Sequence, residues 1–161
     1  DAFYVANEYT GVVKEAVTYM KYHPSFTTAK RLSEIVSHRL PYLDRNSVIV
    51  THVPTTPSRV RERGFDQSRV MAKNLAHARS LHYAPLLRRL TNFHQVGSGK
   101  KARQEHMVDA FAPRRQHLIE ARTIVLVDDV YTTGATLESA AKSLKQAGAN
   151  KILAVVFARA E

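Results

Sequence analysis

Two adjacent carboxylates, Asp128 and Asp129, close a run of aliphatic residues, and a hydroxyl-rich turn follows them at once. The whole stretch reads VLVDDVYTTGAT from Val125 to Thr136. Carboxylates accept hydrogen bonds from a diol or sit near Mg²⁺, but they do not bind an anion. The turn has the opposite chemistry, because a helix begins with unpaired N–H groups and a partial positive charge. The residue types therefore predict a sugar phosphate, with its hydroxyls on the acids and its phosphate on the turn.

The turn itself carries further donors. Thr132, Thr133 and Thr136 add hydroxyls, and Gly134 allows the backbone to approach an anion closely. The alternative is an aspartate pair that only caps a turn, with a threonine at the helix N-cap. Other phosphate motifs fit worse: there is no G-x-x-x-x-G-K-[ST], and the glycines at 97–99 lack a third glycine and a preceding strand.

The elements around this motif must place it at the edge of a sheet. Apolar, β-branched runs predict strands at 47–53, 123–127 and 151–157, and helical periodicity predicts helices over about 68–81 and 136–147. Because the strands are continuous apolar runs that alternate with helices, we expect a parallel sheet with helices on both faces. Ligands bind beyond the carboxyl ends of such strands, where the two aspartates fall. Weaker patterns predict strands at 3–6 and 84–87 and helices from Thr10 to about Met20 and over about 28–40.

Length and composition bound the function. A length of 161 residues suits a single domain over 1–161, with residues 1–45 packed on the core as a strand and helical segment. The net charge of +10 indicates anionic partners such as phosphates or nucleic acid. No cysteine is present, so disulfides and thiolate metal sites are excluded, and the scattered histidines show no ligand spacing. Since no membrane-length apolar run or signal peptide is found, we expect a cytoplasmic protein without membrane insertion, and an upstream piece before Asp1.

The Val125–Thr136 stretch resembles the phosphoribosyl pyrophosphate (PRPP) motif of type I phosphoribosyltransferases. Within these, the chain resembles the ComF family, which is associated with bacterial competence and DNA uptake, over about residues 9–159. Asp66 and His106 stand where that family commonly has asparagine, His52 stands at a common proline, and the family's upstream four-cysteine zinc ribbon has no counterpart here. The matching features are Lys21-Tyr22, VPTTPSRVRERGFDQS at Val53–Ser68, Gln95 with Arg103 and Phe111, and FARA at Phe157–Ala160.

The resemblance implies a type I phosphoribosyltransferase fold, which is Rossmann-like, α/β and mostly parallel. It implies Mg²⁺-dependent transfer of phosphoribosyl from PRPP to a nitrogenous base or similar acceptor, with release of pyrophosphate. The metal would lie at Asp128 and Asp129, and these two with Lys100 and Arg103 would be the catalytic residues. The implied PRPP-binding residues are Val127, Asp128, Asp129, Thr132, Thr133, Gly134, Ala135 and Thr136.

Three other segments receive roles from the resemblance, each with a plainer alternative. The loop after the 47–53 strand would hold pyrophosphate through Thr55, Thr56, Arg59, Arg61 and Arg63; the alternative is a solvated surface loop. Residues 91–109 would be a flexible lid that brings Lys100, Lys101 or Arg103 over PRPP; the alternative is a disordered basic loop that touches nucleic acid. Lys21 and Tyr22 would contact the acceptor or pyrophosphate, or would simply end a helix.

A second function stays open, a non-catalytic PRPP sensor whose basic surface binds single-stranded DNA or the competence machinery. It would explain five arginines that lie outside the predicted pocket loops, and a homodimer is compatible with either function. These arginines are Arg88, Arg89, Arg114, Arg115 and Arg122.

Overall fold

A five-stranded, entirely parallel sheet forms the centre of the computed structural model, which describes residues 1–22, 26–90 and 110–160. The strand order is β1-β7-β6-β2-β3, and β4 and β5 form a separate antiparallel pair. The strands are β1 Ala2–Glu8, β2 Val48–His52, β3 His82–Tyr83, β4 Leu87–Arg89, β5 Phe111–Pro113, β6 Thr123–Tyr131 and β7 Lys151–Arg159.

Five α-helices and one short 3-10 turn connect these strands within the described residues. Their ends follow local rules: Thr56 caps α3, Gly64 ends it in the left-handed conformation, and Asp66 caps α4 through its side chain. The helices are α1 Gly11–Tyr22, α2 Phe26–Ser37, α3 Pro57–Arg63, α4 Gln67–Ala78 and α5 Ala135–Gln146, and the 3-10 turn is Gln116–Leu118.

Both faces of the sheet are covered, which confirms the predicted parallel α/β architecture. One face packs against α1, α2 and α4 through side chains such as Val17, Val36 and Leu75. The other packs against α5 and the β4–β5 pair through side chains such as Leu144 and Phe111. The central strands are apolar on both faces for this reason: all five residues of β2 and seven consecutive residues of β7 are buried.

The structure corrects three element boundaries. β6 continues four residues beyond the predicted end at Val127, because Val130 and Tyr131 stay paired with β7. The predicted strand at 84–87 is wrong, since residues 84–86 join β3 to β4. The basic segment after β2 is not an extended loop: residues 57–63 form α3, which Thr56 and Pro57 start. In the part of the chain that the structure describes, no helix is long and apolar enough to span a membrane.

Candidate functional site

A cavity of about 430 Å³ opens at the carboxyl end of the sheet. It forms because the strands end at different heights: β2 stops at His52, paired with Val127, while β6 continues to Tyr131. Residues 128 and 129 therefore have no strand beside them on the β2 side. The carboxylates lie within the last half of β6 rather than after its end, which corrects the predicted placement.

Asp128 and Asp129 both line this cavity, and each uses one oxygen in a local hydrogen bond. Asp128 Oδ1 accepts from the Ser68 hydroxyl at 2.8 Å and from the Asp129 N–H at 2.9 Å. Asp129 Oδ1 accepts from the Val130 N–H at 2.8 Å. Among the described residues, no donor reaches either second oxygen, so both remain free to accept from a ligand.

The Asp128 carboxyl is held in an unfavourable environment for its charge. Burial, followed by the negative charge of Asp129, raises its pKa from 3.8 to about 8, against the opposing effect of the Ser68 hydrogen bond. A carboxyl in such surroundings gains from any ligand that brings hydroxyl donors or a cation. Perturbed groups of this kind concentrate at functional sites.

The predicted phosphate turn lies on the same cavity. Thr132, Thr133, Gly134 and Thr136 line it, and α5 begins there without a side-chain cap. Gly134 is required, because its φ is +81° and a Cβ would lie 2.5 Å from the Tyr131 hydroxyl. The Tyr131 ring is in turn held by Phe3, with ring centroids 4.9 Å apart.

Two residues of the predicted PRPP set do not line the cavity. Val127 is buried in the sheet, with 1% of its surface exposed, and Ala135 is the first residue of α5.

Helix α3 separates the three predicted arginines. Arg59 and Arg63 are four residues apart and therefore share one side of the helix, which faces the cavity. Arg61 is exposed and does not line the cavity. Because the segment is helical rather than extended, only two of the three point at the site.

The two threonines before α3 are engaged differently from the prediction. Thr55, which was expected to hold pyrophosphate, does line the cavity, but its N–H donates to Asp66 Oδ2 at 3.0 Å. The Thr56 hydroxyl accepts from the Arg59 N–H as the helix cap and does not line the cavity. Asp66 therefore fixes the turn after β2 to the start of α4, since its other oxygen accepts from the Arg69 N–H.

A third cation, Arg89, lines the cavity from β4, although the sequence analysis predicted that it lies outside the pocket loops. Its guanidinium lies 5.2 Å from the centre of the Phe111 ring, and its Nη1 donates to the Pro54 carbonyl at 3.5 Å. Burial and the neighbouring Arg59 lower its pKa. No carboxylate within the described ranges forms an ion pair with it, so the site holds desolvated positive charge facing the acids.

A polar pair outside the cavity, formed by buried His52 and half-buried Tyr83, is linked to Asp66 of the cavity wall. The Tyr83 hydroxyl and His52 Nδ1 are 3.0 Å apart, and His52 Nε2 lies 3.9 Å from Asp66 Oδ2. Burial lowers the pKa of His52 from 6.5 to about 4, although the Asp66 charge opposes this, so the imidazole is neutral at pH 7. Burial also raises the pKa of Tyr83.

Several predicted site residues lie outside the part that the structure describes. Lys100, Lys101 and Arg103 belong to the segment 91–109, and the side chains of Lys21 and Tyr22 are likewise not described. Their roles stay predictions. Sequence reasoning missed Ser68, Gln67 and Arg89 as cavity residues; the quoted stretch at Val53–Ser68 contains the first two, whereas Arg89 carried no local signal.

Comparison with known proteins gives three results. The phosphoribosyl transferase domain family matches residues 25–161. The competence protein ComFC of Bacillus subtilis is 37% identical over 107 residues, which are 66% of this chain and 42% of that protein. ComFC of Streptococcus pneumoniae is 27% identical over 147 residues, 89% of this chain and 62% of that protein. The chain thus spans less than two thirds of either relative.

A structural likeness extends to a protein of low sequence identity. Glutamine PRPP amidotransferase from B. subtilis superimposes with a TM-score of 0.60 at 16% identity, over 86% of this chain and 30% of that one. At this level of identity the likeness concerns the fold alone, and it agrees with the expected type I fold.

Proposed function

The chain belongs to the phosphoribosyl transferase domain family, in its ComF branch, and on that premise we propose that it is a PRPP-binding phosphoribosyltransferase. It transfers phosphoribosyl to a nitrogenous base or similar acceptor and releases pyrophosphate. Since both curated relatives are competence proteins, the proposal extends to a link with DNA uptake in the cytoplasm.

One observation carries this proposal: three chemically different surfaces meet in one cavity. The uncapped start of α5 suits a phosphate, the free oxygens of Asp128 and Asp129 suit a ribose diol, and Arg59, Arg63 and Arg89 suit a polyanion. These three surfaces are complementary to the three parts of PRPP, which are the 5′-phosphate, the ribose and the pyrophosphate.

The reaction breaks the bond between the anomeric carbon and a pyrophosphate oxygen and forms a bond from that carbon to the acceptor nitrogen. The acceptor loses a proton, and the electron pair of the broken bond leaves with pyrophosphate. Positive charge develops on the ribose ring in the transition state, as in glycoside hydrolysis. Carboxylates held against the ribose stabilise that charge, and the arginines stabilise the leaving group.

The donor set fits Mg²⁺ that arrives with its substrate. Within the described residues, no cluster of three or more acidic, histidine or cysteine side chains could hold a metal alone. Mg²⁺ is typically bound by one or two carboxylates together with substrate phosphates and water, and Asp128 and Asp129 offer such oxygens. When bound, the ion would neutralise charge on the leaving pyrophosphate.

A pyrophosphate-release assay tests turnover. PRPP is mixed with a panel of nucleobases and related nitrogen compounds, with Mg²⁺ or with EDTA. We expect at least one acceptor to drive release with Mg²⁺ only, and the Asp128→Asn/Asp129→Asn variant to abolish it. If no acceptor drives release under any metal condition, the enzymatic proposal fails.

A second candidate function, a PRPP sensor that binds single-stranded DNA, is favoured by one surface feature. Arg69 and Lys73 are exposed neighbours on α4 beside Tyr83, with Lys73 Nζ 5.8 Å from the Tyr83 ring centre. Cations beside an aromatic ring are typical of single-strand binding surfaces. Arg88, Arg114 and Arg115 are also exposed, whereas Arg89 belongs to the cavity.

Salt dependence tests this candidate. Fluorescence anisotropy with a labelled oligonucleotide should show binding that weakens steeply as salt rises, because phosphate contacts release counterions. The Arg69→Ala/Lys73→Ala variant should weaken DNA binding and leave PRPP binding unchanged. Binding that is absent, or insensitive to salt, would contradict a DNA-binding function.

A further inference from the structure

Two buried hydrogen-bond donors beside the cavity have no acceptor among the described residues: Arg63 Nε and Gln67 Nε2. Both residues line the cavity, and Gln67 is only 4% exposed. A buried donor without an acceptor destabilises the protein, so two of them on one wall call for an explanation. A ligand oxygen supplied from the cavity would satisfy them.

The fold sets the orientation of this pair. Arg63 is the last residue of α3 and Gln67 is the first residue of α4, and the intervening turn brings their side chains together. Arg63 Nη1 donates to Gln67 Oε1 at 3.0 Å. Because this bond occupies the amide oxygen, the amide nitrogen is the end left for a ligand.

Neighbouring groups within the described ranges do not satisfy the pair. Both oxygens of Asp66 already accept backbone N–H groups, and the Ser68 hydroxyl donates to Asp128. The free atoms on this wall are therefore donors, one of them cationic. Such a surface selects oxygens that carry negative charge, and a phosphoryl group offers several at adjacent positions.

We propose that Gln67 is a specificity-determining residue, whose amide, aligned by Arg63, donates to an oxygen of the leaving pyrophosphate. This inference rests on the proposed function and deepens it. The neutral side chain of Gln67 would allow the site to discriminate between a pyrophosphate and a monophosphate. The 5′-phosphate lies by contrast on the turn before α5. Loss of the Gln67 donor should therefore weaken binding of the pyrophosphate end alone.

Calorimetric titration of inorganic pyrophosphate, PRPP and ribose 5-phosphate, each with Mg²⁺, tests the assignment. Gln67→Met keeps the length of the side chain but removes the donor, and we expect about tenfold weaker binding of pyrophosphate and PRPP. Ribose 5-phosphate should bind as to the wild type. Gln67→Glu keeps the acceptor for Arg63 but places negative charge at the donor position, and should weaken pyrophosphate about 100-fold.

Gln146→Glu is the matched control, since this glutamine is exposed at the far end of α5 and should leave all three affinities unchanged. Melting curves identify a variant that fails to fold, in which case Gln67→Asn, which shortens the amide, replaces it. Equal pyrophosphate affinity in the wild type and Gln67→Met would overturn the assignment, as would an equal loss for ribose 5-phosphate. If the wild type binds pyrophosphate but does not bind PRPP, the proposed function is overturned and the assignment of Gln67 is not. If it binds neither ligand, the proposed function and the assignment are both overturned.

Discussion

Replacing Asp128 by asparagine should stabilise the ligand-free protein at alkaline pH, although this side chain belongs to the proposed substrate site. The carboxyl is surrounded by protein and by the charge of Asp129, which raises its pKa to about 8. Asparagine keeps an oxygen for the Ser68 hydroxyl and the Asp129 N–H, but it cannot ionise. The substitution thus removes the unfavourable charge and retains the local hydrogen bonds.

The magnitude follows from linkage. Between pH 3.8 and about 8, the folded chain retains a proton on Asp128 that the unfolded chain releases. The free energy of unfolding therefore falls as pH rises, by up to about 1.4 kcal/mol per pH unit. This contribution is fully present below pH 3.8 and lost above about pH 8, a total with a ceiling of roughly 6 kcal/mol.

Urea unfolding of the wild type and Asp128→Asn at intervals from pH 4.5 to 9 measures this directly. The variant should gain stability relative to the wild type as pH rises, with the difference levelling above about pH 8. Asp44→Asn, at an exposed turn, is the matched control and should parallel the wild type. A pH-independent difference, or an Asp128→Asn protein that is less stable at pH 8.5, would contradict a raised pKa of Asp128.

Three further predictions concern other parts of the site. Gly134→Ala should cost about 1–2 kcal/mol of stability and displace the phosphate turn, because a Cβ would meet the Tyr131 hydroxyl in a left-handed backbone; melting curves and PRPP titration measure both effects. Arg89→Ala should weaken PRPP about tenfold, whereas Arg88→Ala, on exposed β4 surface, should not, and equal effects would contradict the placement of Arg89. Because the pKa of His52 is lowered to about 4, this residue should contribute a loss of up to about 3 kcal/mol of stability as pH falls from 6.5 towards 4, and His52→Gln should gain that amount relative to the wild type in urea unfolding.

The sequence predicted those features of the fold that depend on local pattern. Continuous apolar runs identified β2, β6 and β7, and helical periodicity identified α4 and α5. Boundaries were less accurate where pairing partners decide them: Val130 and Tyr131 belong to β6 only because β7 runs alongside. The end of a strand depends here on a pairing partner that is distant in the sequence, and no local pattern of residues predicts it.

The sequence predicted the contiguous motif of the candidate site, but it did not predict the residues that reach the site from distant parts of the chain. Asp128, Asp129 and the turn to Thr136 are contiguous, and the structure brings them together on one cavity as their spacing indicated; the sugar phosphate itself stays a prediction. Arg89 reaches the cavity only because β4 pairs with β5, more than twenty residues later, and lies against Phe111. Arg61 does not line the cavity, because residues 57–63 form a helix that was not predicted and that turns Arg61 to a different side from Arg59 and Arg63.

Calorimetric titration of PRPP into the wild type and the Asp128→Asn/Asp129→Asn variant, with and without Mg²⁺, is the most direct test of the proposed PRPP site. We expect saturable binding that Mg²⁺ strengthens, and its loss in a variant that melts no lower than the wild type at pH 8. Wild-type protein that fails to bind PRPP under either condition would contradict it.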